Sequence, residues 1–181
     1  MAEYSEALVS CVRGYLDAQE WNYQFDAEHG AFVLDMGLSD TRLQSVRMLI
    51  FVHMQDFQVY ARPPFNADAK NMGRVMEFLT RANCGLRHGN FELDLRDGDI
   101  NFKTSHRCGD DLPLMKVVSF QAEIPILMWK RYGDGLLAML FGDASPADEI
   151  AKIEIPRPPP PGGDGDRGEG GNGESGREER N

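Results

Sequence analysis

The chain has 181 residues, 29 Asp plus Glu against 19 Lys plus Arg, and a formal net charge of −10 at pH 7. That surplus of carboxylates opposes sequence-independent nucleic-acid binding, which needs cations to neutralise phosphates, and opposes adsorption to an anionic membrane surface. The longest apolar run, Met48-Leu49-Ile50-Phe51-Val52, is far short of the ~20 residues of a spanning helix. The start, Met1-Ala2-Glu3-Tyr4-Ser5-Glu6, lacks the basic and then apolar pattern of a secretory signal. Cys11, Cys84 and Cys108 are an odd, scattered set that suits a reducing compartment. The expectation is a soluble, cytoplasmic protein with neither nucleic acid nor membrane as partner.

Glu6 to Glu20 has apolar residues at helical spacing, Leu8, Val12, Tyr15 and Leu16, with Ser5 placed to cap the start. Trp21 to Asp26 and Ala31 to Gly37 alternate as two strands around a Glu28-His29-Gly30 turn. Val46 to Met54 and Phe57 to Arg62 then read as a hairpin turning at Gln55-Asp56, with Met54 facing Phe57, Val52 facing Val59 and Ile50 facing Ala61. The other face of this hairpin holds Leu49, Phe51 and Tyr60 beside His53, Gln58 and Arg62, and is apolar too. A sheet with two apolar faces needs two covers, either helices and a terminal segment or a second subunit.

Pro63-Pro64 ends that strand, and a helix is expected from Ala67 to Asn83 with Asn66 as its cap and Gly85 at its left-handed stop. The next stretch, Gly89 to Thr104, is the most strongly patterned. Asp97-Gly98 as a two-residue turn sets Arg96 opposite Asp99, Leu95 opposite Ile100, Leu93 opposite Phe102 and Glu92 opposite Lys103. Phe91, Leu93, Leu95, Ile100 and Phe102 would then share a core face. Asp110 or Asp111 is placed to cap a last long helix that Pro125 should kink or break, and Ser145-Pro146 opens a short helix to Ile153. Residues 1–155 therefore form one domain. Residues 156–181, opening on prolines and rich in Gly, Asp, Glu and Arg, lack the apolar area to offset ordering entropy and read as a disordered tail.

One set of side chains has metal-ligating chemistry: Cys84, His88, His106 and Cys108, which the expected hairpin register draws towards one end. Their spacing is not that of a zinc knuckle, and surface histidines with half-buried cysteines account for them equally. Asp94, Asp97, Asp99 and Asn101 fail as a calcium loop, because the Gly comes too early and no Glu closes twelve residues. Glu92 and Asp94, two carboxylates on one strand face, are explained by Lys103 and Asn101 nearby. No nucleophile elbow, phosphate-binding glycine loop or dinucleotide fingerprint is present. The reading is of a protein that is not an enzyme and carries no cofactor.

Three segments, Tyr60-Ala61-Arg62-Pro63-Pro64, Asn83-Cys84-Gly85-Leu86-Arg87-His88-Gly89-Asn90-Phe91-Glu92-Leu93-Asp94 and Gly98-Asp99-Ile100-Asn101-Phe102-Lys103, give the chain a family likeness. Tyr132 with Gly135-Leu136-Leu137, and Phe141-Gly142 to Ser145-Pro146, extend it. The chain resembles the YbjN family of bacterial proteins from about Tyr4 to Glu154. The resemblance implies an α+β domain of roughly αββββαββα order, an antiparallel sheet packed by helices like the type III secretion chaperones, and a regulator of sensory transduction. The function expected is a non-catalytic protein-binding module, chaperone-like or regulatory. It would pair with itself as a homodimer and hold an unidentified protein partner on Leu49, Phe51 and Tyr60. The alternative is a small-molecule or metal-sensing regulatory domain built on Cys84, His88, His106 and Cys108.

Overall fold

The Ser5 hydroxyl accepts from the Leu8 amide at 3.3 Å and opens α1 (Glu6–Ala18), which buries Leu8, Val9, Val12, Tyr15 and Leu16 along one stripe. The chain, a computed structural model that describes residues 4–154, then lays down four strands in succession. These are β1 (Gln24–Asp26), β2 (Ala31–Gly37), β3 (Ser45–Val52) and β4 (Asp56–Arg62). After α2 (Met72–Asn83) come β5 (Asn90–Leu93) and β6 (Ile100–Arg107), then the long α3 (Met115–Phe141) and α4 (Pro146–Ile153). The strands make one antiparallel sheet in the order β1-β2-β3-β4-β6-β5, so its two edges are strands of three and four residues. The class is α+β, as expected. The tail expected over residues 156–181 lies outside the described residues.

Alternation sorts each strand into two faces. Val46, Met48, Ile50 and Val52 of β3, Phe57, Val59 and Ala61 of β4, and Ile100 and Phe102 of β6 are all buried on the same side. The helices pack only there. One core cluster gathers α1 with Phe32, Leu34, Met48, Ile50, Val52, Phe57 and Val59; the other gathers α2, α4 and the C-terminal half of α3 with Ala61, Phe91, Ile100 and Phe102. Helix α3 spans both, through Val118 and Ala122 at one end and Trp129, Tyr132 and Leu136 at the other. The buried Trp129 indole donates to the Ala61 carbonyl at 2.8 Å, and the Thr104 hydroxyl donates to the Gln121 carbonyl at 2.8 Å, so α3 is hydrogen-bonded to the sheet as well as packed on it.

Both hairpins differ in register from the expectation by two residues. In the first, Val52 faces Phe57, Ile50 faces Val59 and Leu49 faces Tyr60, with His53-Met54-Gln55 in the loop and Met54 exposed. In the second, Leu93 faces Ile100, Phe91 faces Phe102 and Asn90 faces Lys103, which leaves Leu95 exposed in the loop rather than in the core. The cause is local. Gly98 takes φ +76 but Asp97 does not join it at positive φ, so the two-residue turn does not form. Instead Gly98 N–H donates to the Asp94 carbonyl at 2.8 Å, and the Asp94 carboxylate accepts the Arg96 amide at 2.9 Å. A slip of two preserves which face each residue occupies, so the core assignments survive for all but Leu95. Glu92 and Lys103 still meet, now as diagonal neighbours at 3.5 Å.

Three boundaries also move. Helix α2 begins at Met72, because Asp68 uses its carboxylate on the Lys70 and Asn71 amides in a preceding turn, while Asn66 donates to the Asp97 carbonyl instead of capping. Helix α3 begins at Met115 without a side-chain cap from Asp110 or Asp111, and it continues unbroken through the buried Pro125. Packing of Ala122 and Trp129 on either side of that proline outweighs the hydrogen bond it removes. Trp21 lies just past the end of α1 rather than in a strand: its amide donates back to the Leu16 carbonyl and its ring meets Tyr15 edge-on at 5.5 Å.

Candidate functional site: the open face of the sheet

Because the described helices cover one side only, the residues that alternate out of the core form a second face that no described helix covers. Register places them in rows. Val33 lies opposite Leu49, Leu49 opposite Tyr60 and Tyr60 opposite Lys103, while the next row runs through Ala31, Phe51, Gln58 and Ser105. Leu49, Phe51 and Tyr60 are thus brought together as expected, with the Phe51 and Tyr60 rings edge-to-face at 5.9 Å. All three are half-buried.

The polar surround is ordered. The Tyr60 hydroxyl donates to Gln58 Oε1 at 2.9 Å, and Lys103 Nζ stands 5.2 Å from the centre of the Tyr60 ring. Hydrogen bonding with Tyr60, together with the Glu92 carboxylate, holds the Lys103 ammonium above its ordinary pKa despite partial burial. Lys103 is therefore a fixed cation at one side of the apolar row. At the other end Asp35 faces Arg47 and Arg47 faces Arg62. Sequence reasoning had picked out Leu49, Phe51 and Tyr60 but not Val33, Arg47 or Lys103. The parity of the residue numbers, odd in β3 and β6 and even in β4, was the signal that would have found the last two.

The structure disperses the metal-like set. Cys84 follows the last turn of α2 and is exposed. His88 meets the Phe120 ring edge-on at 4.9 Å, and His106 lies against Phe57 at 5.9 Å on the core side of the sheet. Cys108 packs beside the α1 cluster, where burial and then the neighbouring Asp56 raise its thiol pKa. With the corrected register His106 is not opposite Gly89. Among the described residues no group of three or more His, Cys, Asp or Glu side chains is placed to hold a metal ion.

Among the described residues no helix is long and apolar enough to cross a membrane. No curated protein matches the chain. A family model does match, over residues 9–116, for YbjN, described as "putative bacterial sensory transduction regulator". The matched stretch takes in most of α1, the whole sheet and α2 and ends in the first turn of α3, so the likeness noted from Tyr132 onward falls outside it. With more than half of its length matched, including every strand that builds the open face, the chain belongs to the YbjN family.

Proposed function

We propose that this chain is a non-catalytic protein-binding module, chaperone-like or regulatory, that pairs with itself and holds an extended segment of a partner polypeptide on the open face of its sheet. The observation that carries the reading is the apolar group of Val33, Leu49, Phe51 and Tyr60 on a sheet face that no described helix covers. Half-buried aromatics in the middle of a patch, with charges at its rim, are the composition of surfaces that other proteins cover. Family membership supports a regulatory role, and the chaperone-like part rests on the resemblance alone. A second reading, a small-molecule-sensing domain, is favoured by the polar cleft at the Arg47 end of the same face.

Phe51→Asp tests the leading reading. The side chain touches no core cluster, so the variant should fold with an unchanged far-UV spectrum. It should lose self-association in sedimentation equilibrium and lose partner capture, because a desolvated carboxylate in the centre of an apolar contact costs several-fold to a hundredfold in affinity, roughly 1–3 kcal/mol. A folded Phe51→Asp that still self-associates and captures partner as before would remove Phe51 from the contact and the reading with it.

A further inference from the structure

A cleft of about 400 Å³ opens where the N-terminal end of β3 meets the C-terminal end of β4, walled by Pro63 and Pro64. Its chemistry follows from register. Arg47 and Arg62 are direct partners across the two strands, a like-charge juxtaposition that disfavours folding unless each guanidinium finds an anion. Arg47 has one: its Nε and Nη2 donate to the two carboxylate oxygens of Asp35 at 2.9 and 3.1 Å. Arg62, half-buried, has no side-chain hydrogen bond or ion pair among the described residues. Its planar fork of donors is geometrically matched to a carboxylate, and Arg62 and Ser45 both line the cleft. The next pair on the same face of these strands is Leu49 and Tyr60, so an anion at Arg62 would have apolar surface alongside it.

Charge narrows the ligand further. Asp35, already paired with Arg47, and Asp99, which accepts from the Asn101 amide, also line the cleft. A doubly charged phosphate would meet two carboxylates, whereas a single carboxylate is matched by the one unpaired guanidinium. We infer that this cleft is a binding site for an apolar carboxylate, with the acid held by Arg62 and Ser45 and the apolar body lying on Tyr60, Leu49 and the Pro63-Pro64 wall. The site does not depend on polypeptide capture by the open face, since a free apolar acid and the carboxyl terminus of a chain share this chemistry.

The test is a titration of the full chain with 3-phenylpropanoate, followed by backbone amide NMR. Saturable shifts are expected at Ser45, Arg47, Tyr60 and Arg62, with none at matched concentrations of 3-phenylpropanamide or inorganic phosphate. Arg62→Gln should weaken binding at least tenfold, and its melting temperature should hold or rise because the opposed arginine pair is relieved; Arg62→Lys, which keeps the charge and loses the fork, should fall between. An acetylated tripeptide ending in phenylalanine, if it binds more tightly than 3-phenylpropanoate, assigns the site to polypeptide termini, and if not, to free acids. The inference is overturned if the amide or phosphate binds as well as the acid, if shifts map elsewhere, or if Arg62→Gln binds undiminished. Phe51→Asp association measured alongside separates this outcome from that of the protein-binding reading.

Discussion

Gly98 sits at φ +76, and a Cβ built on it would stand 1.9 Å from the Ala67 carbonyl oxygen. That carbonyl belongs to the residue whose amide donates to the Gly98 carbonyl at 2.8 Å, so the hairpin tip is docked on the linker ahead of α2. Gly98→Ala combines a disfavoured backbone conformation with a backbone clash, and it should cost roughly 2–4 kcal/mol in urea unfolding. A loss under half a kilocalorie would mean that the tip is not docked. At Tyr15, burial and then the Glu123 carboxylate that accepts its hydroxyl at 3.0 Å push the phenol above its ordinary 10.0. The fold thus favours the protonated form: this contribution is intact below pH 10 and is lost as pH rises beyond it. The melting temperature of the native chain should therefore fall more steeply above pH 10 than that of Tyr15→Phe, and parallel profiles would contradict the assignment. The sequence showed Gly98 as a turn residue and Tyr15 as a core residue. It did not show what either touches, because Ala67 and Glu123 are brought to them by tertiary packing.

The elements were legible through period and parity. Leu8, Val12, Tyr15 and Leu16 recur at the spacing of a buried helical stripe, and α1 buries them all. In the hairpins the parity held and the loop length did not. An Asp-Gly pair signals a turn, but whether the strands close on two residues or on more is decided by side-chain hydrogen bonds such as those of Asp94 and by docking of the tip. Pro125 does not break α3 for a similar reason, since the contacts that hold the helix together across it come from other elements. Trp129 is the clearest of these contacts. It is fully buried, and its N–H is bonded to the Ala61 carbonyl of β4. Trp129→Phe leaves that carbonyl without its donor and opens a void, so it should lower stability by about 3 kcal/mol in chemical denaturation, with the unfolding slope unchanged. A cost below 1 kcal/mol would mean that α3 is held by packing elsewhere.

For the whole molecule, the apolar second face of the β3–β4 hairpin was visible in Leu49, Phe51 and Tyr60, and so was the need for something to cover it. Which side the helices take is a long-range outcome: α1 and α3 come from opposite ends of the domain and meet on the same side of the sheet. The cleft at Arg62 was hidden for the same reason, since Arg47 and Arg62 are fifteen positions apart and only the true register sets them side by side. The sheet's edges bear on how such a protein can assemble. Strands of three and four residues expose few unpaired backbone donors and acceptors, so they are poor templates for adding strand upon strand. Edge growth is open-ended, whereas two copies that bury the same broad face against each other about a two-fold axis leave nothing for a third. The short edges therefore bias any self-association away from fibres and towards a closed pair.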